Sequence, residues 1–173
     1  MTNFGLTEAQ YKEVLRLARL YKREAEKCRE RRAYLAGCIL IGAAFEAALL
    51  SMAHCFEDEV YAWKGTSAKP LIKWSLAELL NAAKQLGWLP SSLSPDNEFD
   101  SKRAQIGDYA EAVRQIRNFV HPARYVDDFQ GKRVTKRYLD TCFEIVETAT
   151  DHLMYKVREF LRAATEELKR RRA

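Results

Sequence analysis

Apolar residues recur every three or four positions along most of this chain, a spacing that predicts amphipathic helices. A first helix is predicted from Thr7, where Thr7 and Gln10 suit a capping box, to about Arg32. A second, at 34–56, is apolar on nearly all sides, which is typical of a helix at the centre of a fold. Residues 57–69 are polar and predict a loop, and a third helix is predicted from Pro70 to Gly87.

The second half of the chain predicts two more helices. A loop with two prolines and three serines is expected at 88–100, followed by a helix over about 101–120. His121 should lie at or just past the end of that helix, because the proline that follows disfavours helical geometry at this position. Residues 122–134 are predicted as a loop, and a long last helix is predicted from Thr135 to Leu168 or beyond.

These patterns together predict an all-α fold, a single bundle of about five helices. The 173 residues are enough for one domain with a core, and 47% hydrophobic residues argue against disorder. We place the whole chain, 1–173, in that domain, with its core at about 30–165. Residues 169–173 form a basic end that we expect to be a frayed tail.

Charge is distributed unevenly along the chain. Residues 1–32 have a net charge of +4, residues 33–100 of −4 and residues 101–173 of +5. Two basic ends around an acidic middle are compatible with a nucleic-acid partner. They are equally compatible with an acidic protein partner.

The cysteines and the known fingerprints predict neither a cofactor nor a metal. The four cysteines contain no C-x-x-C pair and match no zinc pattern; they are Cys28, Cys38, Cys55 and Cys142. No Walker loop, dinucleotide fingerprint or H-E-x-x-H string is present. Reduced thiols on helices, and a polar N-terminus unlike a signal peptide, predict a cytoplasmic protein.

One apolar stretch, Ala33–Ala53, could be interpreted as a membrane span, since basic residues precede it. Glu46 lies in its middle, and a carboxylate at mid-bilayer costs about 2.5–3.5 kcal/mol on insertion scales. We therefore expect no membrane partner and interpret the stretch as the buried central helix. A membrane-associated helical protein is the weaker alternative.

The most informative polar pattern is the stretch from Arg114 to Pro122, RQIRNFVHP. At about 100° per residue, Arg114, Arg117, Asn118 and His121 fall within an arc of about 100°. The apolar residues of the same helix are expected to centre about 130° from Arg114; they are Tyr109, Val113, Ile116 and Val120. A histidine beside two guanidinium groups suits phosphate chemistry, because arginines hold an anion and imidazole moves protons near neutral pH.

This stretch resembles the motif of the HEPN superfamily, small all-helical domains that include many RNases. In that family an arginine, often followed by a polar residue, precedes a histidine, with four to six residues between them. Arg114 and His121 fit that spacing, and Arg117-Asn118 is the arginine–polar pair. The apolar helix at 36–50 and the helix at 76–90, which ends in LGWLP, extend the resemblance over roughly 30–165.

The resemblance implies a function in RNA binding or in metal-independent RNA cleavage. A bacterial defence or toxin–antitoxin system is the setting in which we would expect it. Its candidate catalytic residues are His121 as acid or base, Arg114 and Arg117 as phosphate-stabilising groups, and Asn118 as an orienting group. It also implies a homodimer in which the motifs of two copies meet, and an antitoxin or another protein as a further partner. The alternative is a non-catalytic HEPN dimerisation or adaptor module that binds a protein or a nucleotide.

Simpler interpretations of the same residues stay open at this point. The arginines are of the kind that solvated helix surfaces carry, and Glu111 could pair with Arg114 three residues on. Glu46, in an otherwise apolar helix, needs a partner if it is buried. We hypothesise that Glu46 pairs with Arg114 or Arg117 and orients the guanidinium of that arginine, without contacting the substrate itself.

Overall fold

The computed structural model describes residues 4–65, 69–91, 105–129 and 133–172. Most of these residues are in helices. No strand occurs among these residues, which confirms the predicted all-α fold, with seven α-helices rather than about five. The helices are α1 (Glu8–Glu30), α2 (Tyr34–Cys55), α3 (Glu57–Lys64), α4 (Leu76–Gln85), α5 (Ile106–Arg117), α6 (Pro122–Phe129) and α7 (Lys136–Arg172). Two 3-10 turns, Leu71–Lys73 and Asn118–Val120, lie before α4 and after α5.

The centre of the fold is α2, as its apolar composition predicts. Its largest fully buried side chains are Ile41, Phe45 and Leu49, and α1, α4, α5 and α7 pack around it. By length and composition α2 could cross a membrane, and just over half of its most apolar window is buried within the fold. The other helices pack against α2 from several directions, which fits a helix without a polar face.

Two long helices run along α2, one in each direction. A Cβ on Gly37 would lie 2.7 Å from the Leu139 side chain, and the rings of Phe56 and Phe160 meet 5.2 Å apart. These contacts show that α7 runs parallel to α2. The helix α1 runs the opposite way beside both, and Lys22 of α1 forms an ion pair of 3.1 Å with Glu147 of α7.

Two predictions for the middle of the chain were wrong. Part of the predicted loop at 57–69 is the helix α3, whose first turn is acidic and therefore complements the helix dipole. The predicted helix from Pro70 is interrupted, because Ser75 takes an extended conformation and caps α4 through a capping box with Glu78. The predicted stop at Gly87 is confirmed, since this residue follows α4 with φ of +68°.

Three further boundaries differ in the second half of the chain. The predicted helix at 101–120 is described only from residue 105 onward, and it tightens into a 3-10 turn at Asn118. The predicted loop at 122–134 contains α6, because Pro122 is compatible with the first position of a helix. The helix α7 continues to Arg172, so residues 169–172 of the expected tail are helical. Residues 92–100 of the predicted loop at 88–100 lie outside the described residues.

The start of α5 is fixed against the segment that follows α4 by a close backbone approach. Gly107 donates its N–H to the carbonyl of Pro90 over 2.8 Å. A Cβ at Gly107 would lie 3.1 Å from the carbonyl oxygens of Leu89 and Pro90, so a larger residue would push the two segments apart. This contact helps to set the direction of α5 and thereby the position of the arginines at its other end.

Candidate functional site

The buried face of α5 differs from the predicted one. Ile106, Ala110 and Val113 are buried, whereas Tyr109 and Val120 are 41% and 55% exposed. At about 100° per residue, Arg117 lies within about 20° of the mean direction of the three buried residues. The prediction that all four polar residues point away from the core is therefore wrong for Arg117, which continues the buried face of α5 toward α2.

Arg117 crosses α2 at a glycine and ends on a carboxylate. A Cβ at Gly42 would lie 2.9 Å from Cβ of Arg117, so the absence of a side chain at position 42 lets the arginine stem pack against the helix. One turn further along α2, Glu46 Oε2 accepts a hydrogen bond of 2.5 Å from Arg117 Nη2. The two side chains are 32% and 24% exposed, and the predicted contact of Glu46 with an arginine of the motif is thus present.

Arg114 has a carboxylate partner on its own helix. Its Nε donates to Glu111 Oε1, three residues earlier, in a partly buried ion pair. This is the pairing that helix geometry allows between positions i and i+3. Both arginines of the motif therefore have a carboxylate beside them, one on α5 itself and one on α2.

His121 lies at the junction between the 3-10 turn and α6. Its backbone is extended, with φ −88° and ψ 115°, and its N–H donates to the carbonyl of Asn118 over 3.0 Å. A 3-10 turn advances about 120° per residue rather than about 100°, so three steps move His121 by about 60° from the predicted direction. The imidazole is on the exposed surface, and Asn118 is half-buried at the start of the turn.

A further cation lies near His121 that the sequence analysis did not identify. Arg124 is in the first turn of α6, three residues after His121, and its side chain is exposed. Within the part of the chain that the structure describes, Arg124 forms no ion pair. It was missed because 122–134 was predicted as a loop; proline at the first helical position, preceded by an extended residue, was the available signal.

The arrangement combines fixed charge with an exposed proton-transfer group. Arg117 is held against α2, Arg114 is held along α5, and His121 and Arg124 lie beyond them where solvent has access. An anion at this end of α5 would meet guanidinium groups and the amide of Asn118, and imidazole would be available for general acid or base catalysis.

His54 and two of the four cysteines make contacts within the fold. His54 accepts a hydrogen bond of 3.2 Å from the N–H of Leu6 at its Nδ1, which ties the N-terminal segment to the end of α2. Cys38 and Cys142 are buried free thiols on α2 and α7, and their mutual hydrogen bond raises the pKa of Cys38. Among the described residues no group of three histidine, cysteine or carboxylate side chains could hold a metal ion.

Comparison with known proteins does not place the chain in a family. No family model matches it, and no curated protein and no solved structure is detectably similar. The functional assignment therefore depends on the residues themselves.

Proposed function

We propose that the chain is a HEPN-like RNA-binding domain that acts as a metal-independent endoribonuclease. The observation that carries the proposal is the position of His121, exposed at the junction of the 3-10 turn and α6, beyond an arginine that Glu46 holds in place. Imidazole accepts and donates protons near neutral pH, and guanidinium groups bind phosphate. In this proposal the protein works in the cytoplasm, in a bacterial defence or toxin–antitoxin system, with an antitoxin or another protein as its partner.

The proposed reaction is an internal transfer within the RNA strand. The 2′-hydroxyl attacks the neighbouring phosphorus, the bond from phosphorus to the 5′-oxygen breaks, and the products are a 2′,3′-cyclic phosphate and a 5′-hydroxyl. His121 takes the proton from the 2′-hydroxyl or supplies one to the leaving oxygen, a role worth about 10²–10⁴ in rate. RNA is the substrate because DNA lacks the attacking hydroxyl.

The arginines and Asn118 have separate tasks in this scheme. Arg114 and Arg117 stabilise the charge that develops on the phosphate oxygens, and Asn118 orients the phosphate or the imidazole. Glu46 holds the side chain of Arg117 against α2, so this side chain loses less conformational entropy when RNA binds. A homodimer that brings two such surfaces together would double the number of arginines around one phosphate.

The first experiment is incubation of the purified protein with mixed cellular RNA in EDTA, beside a His121→Ala variant. We expect the wild-type protein to leave cyclic-phosphate ends and the variant to lose at least about 100-fold in rate. Arg19→Ala, which removes an exposed arginine on α1, is the matched control and should cleave normally. Equal cleavage by wild type and His121→Ala would disprove the mechanism.

A second candidate function has an observation in its favour, namely that both arginines of the motif already have carboxylate partners. Such pairing lowers the net positive charge available to RNA. It supports a non-catalytic HEPN-like module that binds a protein or a nucleotide. Absence of cleavage by the wild-type protein, together with a stable partner recovered from cells, would support this function over the first.

A further inference from the structure

Two buried thiols face each other where α2 and α7 pack together. Cys38 of α2 is 0% exposed and Cys142 of α7 is 1% exposed, and each lies within hydrogen-bond reach of the other. Neither thiol has a part in the proposed RNA chemistry. Free thiols held side by side on two different helices can be joined by a disulfide if the helices are close enough.

The register of the two helices brings these cysteines together. The rings of Phe56 and Phe160 meet 5.2 Å apart. Each phenylalanine follows the cysteine of its own helix, Cys38 or Cys142, by eighteen residues. Eighteen residues make five full turns and about 27 Å, so each cysteine points in the same direction from its helix as the phenylalanine. Because α2 and α7 are parallel, the contact between the rings places the two cysteines opposite each other as well.

The two helices also approach each other closely at this point. A Cβ at Gly37, the residue before Cys38, would lie 2.7 Å from the side chain of Leu139. Leu139 is one turn before Cys142, so the lack of a side chain at position 37 lets α7 pack tightly on α2 beside the thiols. Helices whose axes are about 8–10 Å apart carry facing Cα atoms within the roughly 7 Å that a disulfide requires.

A groove between α5 and α7 gives one of the two thiols access to small solutes. The groove has a volume of about 390 Å³, and Cys142 forms part of its floor. Ala112 of α5 and Thr141 of α7 line its exposed side. Cys38 lies behind Cys142 on the central helix and does not line the groove. A small oxidant that enters the groove therefore meets Cys142 first.

The hydrogen bond between the thiols favours the same order of reaction. Cys38 donates to the sulfur of Cys142, which lowers the pKa of Cys142 although burial opposes the change. The same hydrogen bond, together with burial, raises the pKa of Cys38. Since a thiolate rather than a thiol attacks an oxidant, Cys142 is the nucleophile of the pair and Cys38 keeps its proton.

We propose that Cys142 and Cys38 form a redox-modification site, at which a hydroperoxide oxidises Cys142 and Cys38 then closes a disulfide between α7 and α2. The site is separate from His121, so the proposal does not depend on the proposed RNase activity. In the resting protein both thiols are reduced. The disulfide forms when a hydroperoxide is present, and a dithiol reductant reverses it by thiol–disulfide exchange.

The oxidation takes two steps. In the first, the sulfur of Cys142 attacks one oxygen of the hydroperoxide and the O–O bond breaks. Cys142 becomes a sulfenic acid, and the water or alcohol that leaves carries away the thiol proton. In the second, the sulfur of Cys38 attacks the sulfur of the sulfenic acid, and its proton leaves with the hydroxyl group as water. The protein has then lost two hydrogen atoms, and the hydroperoxide has been reduced.

The test is treatment of the folded full chain with increasing hydrogen peroxide, followed by alkylation in denaturant, digestion and mass spectrometry. We expect a linked pair of peptides that contain Cys38 and Cys142, and dithiothreitol added before alkylation should restore both thiols. Thermal unfolding gives a second readout. The disulfide closes a loop of about 100 residues and should raise Tm by at least about 5 °C.

Single alanine variants separate the roles of the two cysteines. In Cys38→Ala we expect Cys142 to accumulate as a sulfenic acid that dimedone traps, because the thiol that would resolve it is missing. In Cys142→Ala no sulfenic acid should form at Cys38, which does not line the groove. Circular dichroism shows whether each variant is folded. Trapping of Cys38 in a folded Cys142→Ala protein would contradict the proposed order of reaction.

The route of the oxidant is tested at Ala112, which is exposed beside the groove. Ala112→Trp should slow formation of the disulfide several-fold, because the indole would fill the groove and restrict access to the thiol. Ala163→Trp, which enlarges an exposed alanine near the other end of α7, is the matched control and should leave the rate unchanged. Equal rates in the two variants would contradict access through the groove.

Two results with the wild-type chain would overturn the proposal outright. In the first, the exposed Cys55 is oxidised while Cys38 and Cys142 stay reduced until urea is added, which would show that peroxide does not reach the buried pair. In the second, the disulfide joins Cys38 to Cys28, whose Cβ would lie 3.3 Å from a Cβ at Gly37. That link would show that α1 rather than α7 supplies the partner thiol.

Discussion

Arg117 of α5 donates to Glu46 of α2 over 2.5 Å, and its stem passes directly over Gly42 on the way. The pair joins the helix that carries the motif to the central helix of the fold. It is only partly exposed, so water screens it less than the ion pairs on the outer faces of α1 and α7. Arg117 therefore stabilises the contact between α5 and α2, and His121 lies on the exposed surface beyond it.

Replacing Glu46 with glutamine should destabilise the protein through loss of this ion pair. The guanidinium of Arg117 would remain at the helix interface without its opposite charge. We expect a loss of about 1–2 kcal/mol in the free energy of unfolding, less than for a fully buried pair because a quarter to a third of each side chain is exposed. Urea denaturation at pH 7 measures the change.

Glu13→Gln is the matched control for that substitution. Glu13 pairs with Arg16 on α1 over 2.6 Å, but more than half of each side chain is exposed. Such surface pairs contribute little to stability. An equal effect of the two substitutions would mean that the contact between α5 and α2 does not stabilise the fold.

Replacing Gly42 with alanine should also destabilise the protein, although alanine favours helices by about 1 kcal/mol over glycine. The added methyl would lie 2.9 Å from Cβ of Arg117, an atom close to the backbone that cannot swing aside. The helix α5 would have to move, and we expect a net loss of about 1–3 kcal/mol. The same variant should weaken any RNA cleavage, because Arg117 moves with its helix.

The contribution of helix propensity alone can be measured at Ala36, an exposed position of the same helix. Ala36→Gly should lower stability by about 0.5–1 kcal/mol. If Gly42→Ala instead raised stability by a similar amount, the packing of Arg117 over position 42 would be looser than the contact distance indicates.

The sequence predicted the core of this fold better than its boundaries. The all-round apolar α2, the capping box of α1 and the stop of α4 at Gly87 followed from residue type and spacing alone, whereas the capping box of α4 at Ser75 was missed. The helix α6 did not, because its polar composition outweighed a single proline signal at 122. Short helices that rest on one capping feature are hard to predict from one sequence.

The contact of Glu46 was predictable, whereas the direction of α5 was not. A carboxylate in an apolar helix must have a partner, and that requirement pointed to the arginines of the motif. The buried face of α5 was placed about 60° away, because Tyr109, Ile116 and Val120 were taken as core residues and the small Ala110 was not. The 3-10 turn at Asn118 then displaced His121 in a way that a uniform helix could not anticipate.

Acid should destabilise the protein partly through Glu78. Burial tends to raise the pKa of this carboxyl, but hydrogen bonds from Ser75 and Lys69 outweigh it and lower the pKa to about 2. A carboxyl with a lowered pKa stabilises the fold above its ordinary pKa of 4.5, and that contribution is lost as the pH falls toward 2. Glu78→Gln retains a capping residue but removes the charge.

We therefore expect Glu78→Gln to be less stable than wild type by about 1 kcal/mol at pH 7, since solvent screens a side chain that is a third exposed. The difference should be constant between pH 6 and 8 and should shrink below about pH 4.5. Urea midpoints across this range measure it, with Glu144→Gln as a control for net charge. A difference that does not change with pH would show that the carboxylate makes no charge-dependent contribution.

Arg124 provides the sharpest test of whether the exposed surface at His121 binds RNA. If its guanidinium contacts a phosphate, Arg124→Ala should weaken RNA binding and reduce the slope of log affinity against log salt by about 0.7, the value for one contact with a single strand. Fluorescence anisotropy with a labelled single-stranded RNA, at several salt concentrations, gives both quantities. Arg19→Ala, on the outward face of α1, should change neither.

Stability provides the control for folding. Because Arg124 makes no ion pair among the described residues, its loss should leave the urea midpoint unchanged, so a weaker affinity reports on binding rather than on folding. An unchanged salt slope in Arg124→Ala would place the RNA, if it binds, away from the first turn of α6.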